Sequence, residues 1–315
     1  MSLAEEIKQK AFQLGFDLAG ITDASPLNNK QLKLFTDWLA LGYAGRMDYM
    51  RDNFDKRTNP VKLLKSARSI ICLGLNYTPP KTQNETTTPP APMGTVANYA
   101  QYEDYHPFIK KQLRKLTDFI GSIAGTGFRF RICVDSSPLA ERALAARAGL
   151  GFIGKNRMLI NPKLGPQILL GEIVTSLKLP ADEPIKADCS NCDRCSNACP
   201  TGALRPDGRF DANKCISYLT IEYKGEIPVD LAQKIGDRLF GCDECVLACP
   251  YQTDAPVCKN NQFRFYDDRA KLNLNEILNM SEDVFEAKFA DSAFMRVGLE
   301  RLKRNARICL NNITR

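Results

Sequence analysis

Two runs of closely spaced cysteines constrain this chain more than any other feature of its sequence. The first run, CSNCDRCSNACP, has the spacing C-x2-C-x2-C-x3-C-P from Cys189 to Pro200, and a shorter copy, C-x2-C-x3-C-P, runs from Cys242 to Pro250. Three thiolates on such a tight loop can bind three irons of one [4Fe-4S] cubane, while the fourth cysteine faces a second cubane. The spacing therefore predicts two iron–sulfur clusters whose ligands cross over between the motifs.

Eight cysteines fill the eight ligand positions of this crossed pattern. One cluster draws three ligands from the first motif and one from the second, namely Cys189, Cys192, Cys195 and Cys249. The other cluster takes the remaining motif cysteines and one more, namely Cys199, Cys242, Cys245 and Cys215. Cys215 lies between the motifs and is the nearest cysteine without another predicted role.

Two other uses of cysteine fit this sequence less well. A disulfide framework is typical of small secreted domains, whereas here nine of 12 cysteines lie between Cys189 and Cys258 in a chain of 315 residues. Zinc knuckles place pairs of ligands farther apart and do not require the proline that closes each motif. Cys72, Cys133 and Cys309 lie in apolar runs and are predicted to be buried, and Cys258 has no predicted role.

The composition and the first residues predict a globular protein of the cytoplasm. The chain is 44% hydrophobic and 25% charged, and its N-terminal segment alternates charged and apolar residues without the apolar core of a secretory signal. Its longest apolar runs are much shorter than the roughly 20 residues that cross a bilayer. We therefore expect a cytoplasmic monomer with no membrane partner, whose cysteines stay reduced.

The residues before the first cysteine motif have the periodicities of an α/β domain with a mixed sheet. The first four elements are helices over 3–14 and 31–41 and buried strands over 16–21 and 69–75. The proline- and threonine-rich segment 79–94 is predicted to be an exposed loop. A helix over 107–124 and an alternating strand over 128–135 follow.

A strand-to-helix junction at Asp135, Ser136 and Ser137 is the first candidate active site. The following helix is predicted to have Pro138 in its first turn and Gly149 beyond its end. Catalytic groups of α/β folds often lie at the carboxyl ends of strands, which makes Asp135 a candidate general acid. Equally, Ser137 is an ordinary N-cap residue and Asp135 a favourable charge near a helix N-terminus, so the junction by itself leaves both interpretations open.

The glycine-rich stretch GLGFIGKN, residues 149–156, precedes two predicted strands joined near residues 162–165. Its glycines allow the backbone to approach a bulky ligand closely, and an ordinary tight turn is the other interpretation. The spacing matches neither a dinucleotide fingerprint nor a phosphate-binding P-loop, because Asn156 stands where a P-loop has a hydroxyl group.

Four stretches of the chain together resemble the epoxyqueuosine reductase family. They are VDSSPLAERALAARAGLGFIGKN (134–156), the first cysteine motif continued as CPTGAL, KCISYLTIE (214–222) and FGCDECVLACPYQ (240–252). The resemblance implies a nitroreductase-like α/β (α+β) domain that binds cobalamin over residues 1–178, and a ferredoxin-like domain with two [4Fe-4S] clusters over 179–260. A short helical tail similar to the start of a HEAT repeat is then expected over 261–315.

The same resemblance implies the reduction of epoxyqueuosine to queuosine at the wobble position of tRNA, the last step of queuosine biosynthesis. Electrons from an unidentified flavodoxin or ferredoxin system would pass through the two clusters to cobalamin. Two alternatives remain from the cofactors alone: a reductive dehalogenase-type enzyme that acts on a small molecule, and an electron carrier without catalysis.

Residue by residue, Asp135 matches the family's proton donor. This role requires a pKa raised by burial, since an ordinary aspartate is ionised at neutral pH. The matching positions for cobalamin contacts are Arg57, Asp135, Lys155, Asn156, Ser217, Cys242 and Asp243. His106, the only histidine of the chain, is predicted to be structural or to start a helix.

The charge balance is compatible with a tRNA substrate. Lysine and arginine total 43 against 36 acidic residues, a formal net charge of +7 that attracts phosphates modestly. Four cations near the C-terminus are predicted either to contact the tRNA backbone or to form a solvated helix face: Arg301, Lys303, Arg304 and Arg307.

Overall fold

The computed structural model describes residues 1–80 and 91–314, in which nine strands form three sheets. In chain order the strands are β1 (Leu18–Asp23), β2 (Ser69–Asn76), β3 (Met93–Val96), β4 (Phe130–Cys133), β5 (Phe152–Ile153), β6 (Leu159–Ile160), β7 (Ile168–Thr175), β8 (Arg238–Phe240) and β9 (Lys271–Asn273). Most of the predicted exposed loop over residues 79–94 lies outside the described residues.

The α-helices differ widely in length. They are α1 (Leu3–Gln13), α2 (Asn29–Ala40), α3 (Tyr49–Asp52), α4 (Phe54–Thr58), α5 (Pro60–Leu63), α6 (Tyr105–Ala124), α7 (Glu141–Arg147), α8 (Arg194–Asn197), α9 (Ile216–Ile221), α10 (Val229–Ile235), α11 (Glu244–Leu247), α12 (Pro250–Thr253), α13 (Leu274–Asn279), α14 (Glu282–Phe289) and α15 (Leu299–Ile313). Short 3₁₀ helices cover Asn98–Gln101, Ala212–Lys214, Asp267–Arg269 and Ala293–Arg296. None of the helices in the described ranges combines the length and the hydropathy needed to cross a membrane.

A four-stranded sheet in the order β1–β2–β7–β4 carries the N-terminal half. Alternate side chains of β2 point to opposite faces, so Ile71 and Leu73 share a core with α1 and α6, while Ile70 and Cys72 share one with α7. Both faces are covered, so β2 and β7 are buried along their whole length, which explains the continuous apolar run of β2. The four elements predicted up to β2 are confirmed.

A smaller sheet in the order β8–β3–β9 joins the three segments that were predicted as domains. Its strands come one each from 179–260, 1–178 and 261–315, and α9, α10, α13 and α15 surround it in one apolar core. This smaller sheet is mixed, because β3 runs parallel to β8 and antiparallel to β9. The mixed sheet predicted for the residues before the first cysteine motif is wrong, because every pairing in the larger sheet is antiparallel. The three segments therefore interlock, and their boundaries stay a prediction.

The junction between β4 and α7 differs from its prediction. α7 begins at Glu141, so Pro138 lies before the helix, and Ala140 rather than Ser137 is the N-cap residue. Asp135 adopts a left-handed backbone conformation (φ 48°), and its N–H donates to Glu141 Oε1 at 2.5 Å. Because the backbone of this turn is not helical, the helix does not start at Pro138 as predicted.

Three cysteines outside the cluster motifs are core residues, as predicted. Cys72, Cys133 and Cys309 have no solvent exposure. Burial raises the pKa of the Cys133 and Cys309 thiols to about 12, so both stay protonated at neutral pH. Cys258 is half-buried and lies beside Tyr102, whose hydroxyl group donates to the Thr78 carbonyl at 3.3 Å.

The C-terminal helix α15 holds the end of α9 through two arginines. Arg304 donates to three backbone carbonyls between residues 219 and 225 at 2.7 to 2.8 Å, and Arg301 donates to the Ile221 carbonyl at 2.7 Å. The last carbonyls of a helix have no partners within it, so these guanidinium groups cap α9. Arg301 and Arg304 are therefore engaged in the fold, contrary to the prediction of a phosphate contact or a solvated face, whereas Arg307 is exposed.

Replacing Arg304 by alanine should destabilise the protein, because it removes the charged donor of several backbone carbonyls. A hydrogen bond to a charged group contributes about 2 kcal/mol, so we expect Arg304→Ala to lower the midpoint of thermal unfolding by several degrees. Circular dichroism melts of anaerobically purified protein measure the change. Arg307→Ala, on the exposed side of the same helix, is the matched control, and equal melting of the two variants would contradict the capping role.

Candidate functional site

Asp135, His106 and Asp104 form a hydrogen-bonded chain just beyond the end of β4. His106 lies in the first turn of α6, where Asp104 is the N-cap residue and accepts the His106 backbone N–H. The imidazole Nδ1 is 2.6 Å from Asp104 Oδ1, and Nε2 is 3.0 Å from Asp135 Oδ2. His106 is 3% exposed, whereas the Asp135 side chain is 59% exposed. The chain thus presents one accessible carboxyl group backed by a buried imidazole.

These contacts shift the pKa values of His106 and Asp135. Burial favours the neutral imidazole, but hydrogen bonds to the two aspartates outweigh it and raise the pKa of His106. Partial burial also acts to raise the pKa of Asp135, but the hydrogen bond and charge of His106, with Arg296 beyond, lower it below its ordinary value. The general-acid role requires a raised pKa of Asp135, whereas the pKa of Asp135 here is lowered. Asp135 is an ionised acceptor beside a protonated His106.

An arginine and a tyrosine lie close to Asp135. Burial, together with the negative charges of Glu222 and Asp135, raises the pKa of Tyr49 to about 12. Arg57 donates to the Leu139 carbonyl at 3.3 Å, but its buried Nε has no hydrogen-bond partner among the described residues. Leaving a buried polar nitrogen unpaired is unfavourable, so the free Nε–H of Arg57 is a donor available to a ligand.

The tight turn between β5 and β6 contacts both cysteine motifs. The Lys155 backbone N–H donates to Cys189 Sγ at 3.4 Å, and Lys155 Nζ donates to the Cys192 carbonyl at 2.8 Å. The Asn156 side-chain amide donates to the Cys245 carbonyl at 3.2 Å. The turn interpretation of GLGFIGKN is confirmed, and the polar side chains that follow its glycines hold the cysteine segments in place.

The motif cysteines lie in two groups that cross between the motifs. The first group is Cys189, Cys192, Cys195 and Cys249, and the second is Cys199, Cys215, Cys242 and Cys245. Within each group the thiols are close enough for their charges to interact, and the Lys155 backbone N–H donates to Cys189 Sγ. Over residues 1–80 and 91–314, no three His, Cys, Asp or Glu side chains converge on a site for a single metal ion.

Ser217 and Asp243 lie beside the second cysteine group. Ser217 lies in the first turn of α9, whose N-cap residue is Cys215. Asp243 directly follows Cys242, and its Oδ2 accepts the Asn98 N–H at 2.6 Å. Burial raises the pKa of Asp243 to about 6, so this carboxyl group changes its charge near neutral pH.

Tyr99 connects the two ends of the site. Burial and then the charges of Asp135 and Asp243 raise the pKa of its hydroxyl group, which shows that both carboxyl groups are near it. Its ring packs edge-on against Tyr105, with centroids 6.1 Å apart. The predicted site residues at the β4 end and those at the second cysteine group therefore belong to one region.

Several residues of this region were missed by sequence reasoning. His106 was correctly placed at a helix start, but its contact with Asp135, 29 residues away, was not predicted. The sequence did contain a signal for the contact between Asp104 and His106, because an N-cap aspartate directs its carboxylate toward the first turn of the helix. Nothing in the sequence marks Tyr49 or Tyr99, since tyrosines of this kind are also ordinary core residues.

Two family models match parts of the chain. One, described as Epoxyqueuosine reductase QueG, DUF1730, matches residues 57–136. The other, described as a 4Fe-4S double cluster binding domain, matches residues 188–252, which include both cysteine motifs and Cys215. The predicted pair of iron–sulfur clusters is confirmed by this match.

Related proteins match over nearly the full chain. The epoxyqueuosine reductase of Pseudomonas aeruginosa is 38% identical over 311 residues, which are 98% of this chain and 85% of the relative. A crystal structure of an epoxyqueuosine reductase with a tRNA-Tyr epoxyqueuosine-modified stem loop has a TM-score of 0.90 at 32% identity, over 98% of this chain and 81% of that one. A Bacillus subtilis epoxyqueuosine reductase, solved with an aspartate-bearing catalytic loop swung out of the active site, has a TM-score of 0.91 at 32% identity and the same coverage. The mixed α/β fold of this chain matches that of both structures.

The single histidine allows a direct test of the hydrogen-bonded chain. With histidine labelled isotopically and the clusters oxidised, the one imidazole signal in the NMR spectrum should titrate above the ordinary value of about 6.5, because Asp104 and Asp135 stabilise the protonated ring. Asp135→Asn and Asp104→Asn should each lower this pKa. A signal that titrates at its ordinary value in all three proteins would show that the contacts do not control the charge.

Proposed function

This chain belongs to the epoxyqueuosine reductase family, and from this premise we propose that it reduces epoxyqueuosine to queuosine at the wobble position of tRNA. The observation that carries the proposal is the accessible carboxyl group of Asp135, backed by a buried imidazole and close to the second cysteine group. Loss of the epoxide oxygen as water consumes two electrons and two protons, so the site needs both a reductant and a proton donor.

The cofactors are two [4Fe-4S] clusters and cobalamin, and the residues present fit them. A backbone N–H that donates to a cysteine sulfur, as the Lys155 N–H does to Cys189 Sγ, stabilises a thiolate ligand of an iron–sulfur cluster. We propose that the two crossed groups are the ligand sets of the two clusters. When bound, the clusters supply electrons one at a time and cobalamin supplies the reducing centre.

The candidate cobalamin residues divide into two kinds. The buried Nε–H of Arg57 has no partner in the described ranges, and Ser217 and Asp243 lie beside the second cysteine group, so we propose that these three contact the cofactor directly. The side chains of Lys155 and Asn156 already donate to carbonyls of the cysteine segments. We propose that they hold the cluster segments and contact the cofactor from there.

We propose that His106 stores the proton that Asp135 delivers. The ion pair found here keeps the proton on the imidazole, because the exposed carboxylate is solvated. A bound nucleotide that covers Asp135 removes this solvation, which disfavours the separated charges and raises the pKa of the carboxyl group. The proton then moves from His106 Nε2 to Asp135 Oδ2, a distance of 3.0 Å between heavy atoms, and from there to the departing oxygen.

The finer features of the family follow as proposals. We propose that the larger sheet with its helices is nitroreductase-like, that 188–252 forms the ferredoxin-like part, and that α13, α14 and α15 form a HEAT-like tail. A flavodoxin or ferredoxin would donate electrons near the first motif, whose residues 190–194 are mostly exposed. Because the substrate is tRNA, we place the protein in the cytoplasm, and we propose that it acts as a monomer. Lys303 and Arg307 remain as tail cations for phosphate contact.

The crossed ligand sets are tested by removing one cysteine from each. Cys199→Ala should disrupt the second cluster and leave the first detectable, although Cys199 belongs to the first motif, because its thiol lies with Cys215 and Cys245. Cys195→Ala in the same motif should have the reverse effect. Iron and sulfide content with electron paramagnetic resonance of the reduced proteins measure both. Loss of the same cluster signal in the two variants, or zinc as the sole metal, would contradict the assignment.

The function and the role of Asp135 are tested together on tRNA that carries epoxyqueuosine. Wild-type protein, pre-reduced and loaded with cobalamin, should convert the nucleoside to queuosine in a single turnover, as measured by nucleoside analysis of digested tRNA. Asp135→Asn cannot deliver a proton, so we expect it to react at least about a hundredfold more slowly, the usual scale for loss of a general acid.

Pre-reduction removes electron supply from this comparison, and cluster content and cobalamin loading of the variant are its controls. Conversion by Asp135→Asn at the wild-type rate would assign the proton to another group. No conversion by the wild-type protein, with loss of halide from organohalides instead, would favour the dehalogenase alternative, and a loaded protein that only transfers electrons would favour the carrier.

A further inference from the structure

A pair of glutamates lies directly behind Asp135, and the mechanism above does not use it. Glu172 stands in the middle of β7 and is 0% exposed. No N–H or hydroxyl group of the described residues donates to either of its carboxyl oxygens. The partly buried carboxyl group of Glu141, the first residue of α7, lies beside it and raises its pKa.

Glu172 is flanked by Cys72 on β2 and Cys133 on β4, in an apolar core under α7 where two negative charges would be strongly unfavourable. Burial and the neighbouring carboxyl group raise the pKa of Glu172 well above its ordinary value and the pKa of Glu141 to about 7. At neutral pH the pair therefore holds one proton, which is on the more buried carboxyl group, that of Glu172.

A carboxyl oxygen of Glu141 holds the backbone at Asp135. Glu141 Oε1 accepts the Asp135 N–H at 2.5 Å. Asp135 has a positive φ of 48°, which is uncommon for a residue with a side chain and needs support from its surroundings. In this conformation the Asp135 carboxyl group reaches His106. The hydrogen bond from the Asp135 N–H to Glu141 is thus well placed to fix the direction of the reactive side chain.

We propose that Glu172 and Glu141 position Asp135: protonated Glu172 holds Glu141, and Glu141 holds the Asp135 N–H so that the Asp135 carboxylate stays in contact with His106. Both glutamates are positioning residues, because neither one faces the substrate. The purpose of the arrangement rests on the proposed function, whereas the arrangement itself can be tested without tRNA or cobalamin.

The arrangement predicts a dependence on pH. Once Glu172 ionises, two adjacent carboxylates repel each other and the Asp135 N–H loses its acceptor. Other titratable or charged groups face the pair from the surrounding elements: Cys72 on β2, Cys133 on β4, Arg57 on α4, Tyr105 on α6, Arg142 on α7, and Asp135 in the turn before α7. Burial raises the pKa of the two thiols and of Tyr105, so these groups stay neutral while the glutamate pair titrates.

Amide hydrogen exchange of the peptide that contains Asp135, in protein that carries its clusters, tests the proposal. In wild-type protein this amide should be protected at neutral pH and lose protection at an alkaline pH at which Glu172 ionises, after correction for the intrinsic exchange rate. Glu141→Ala should exchange at least about tenfold faster already at pH 7. Glu172→Gln has a similar shape and stays uncharged, so it should keep the protection at both pH values.

Glu282→Ala is the matched control, because Glu282 is also the first residue of a helix but is exposed. It should exchange like the wild-type protein at Asp135. Wild-type exchange in Glu141→Ala would overturn the proposal. If Glu141→Ala does not fold, the comparison of wild type with Glu172→Gln still tests the proposal. Equal loss of protection at high pH in both proteins would contradict it, because that loss would then come from His106 or another group.

A second measurement links the arrangement to the reaction. Glu141→Ala should slow single-turnover conversion of epoxyqueuosine by about tenfold or more, because the acid is no longer held toward its target. Altered exchange together with wild-type conversion would overturn the positioning role. Altered exchange in a protein whose wild type converts no epoxyqueuosine would support the arrangement and refute the proposed function, so the two failures are distinguishable.

Discussion

The site depends on the turn between β5 and β6, because the backbone and side chains of this turn hold both cysteine groups. Its backbone and side chains reach Cys189, Cys192 and Cys245, which lie 34 to 89 residues further along the chain. Loops with many cysteines have little apolar surface of their own and rely on such contacts for a defined position. The turn therefore brings the second cysteine group into the same region as Asp135 and Tyr99.

Around that region the protein concentrates acidic groups, although its overall charge is positive. Several carboxyl groups lie near the single histidine, among them those of Asp104, Asp135 and Glu141, and each alters the charge of its neighbours. The contact with His106 favours an ionised Asp135, and burial with the charge of Glu141 favours a protonated Glu172. The net charge of +7 is summed over the whole chain and gives it a modest attraction for phosphates, whereas the chemistry depends on this local balance.

The parts that were predicted from sequence share a physical reason. β1, β2 and the helices around them have periodic apolar patterns that tertiary contacts do not override, and the cysteine spacing follows the geometry of a cubane. The start of α7 was mispredicted because a proline followed by helix-forming residues is a local signal, while the turn at Asp135 is held by a side-chain contact, from its N–H to Glu141, that no local pattern marks. The pairing of His106 with Asp135 was beyond prediction for the same reason: it depends on how α6 and β4 are placed.

The arginines of α15 show how a charge pattern can mislead when the acceptors are unknown. A cationic helix face has the same sequence whether it faces tRNA phosphates, solvent or the carbonyls at the end of another helix. Here Arg304 and Arg301 cap α9, whose N-cap residue is Cys215, and the buried Asn305 donates to the Thr220 and Leu239 carbonyls. The tail is therefore part of the scaffold that places Cys215 and Ser217. A substitution that disrupts α15 would disturb the second cysteine group even if α15 makes no contact with tRNA.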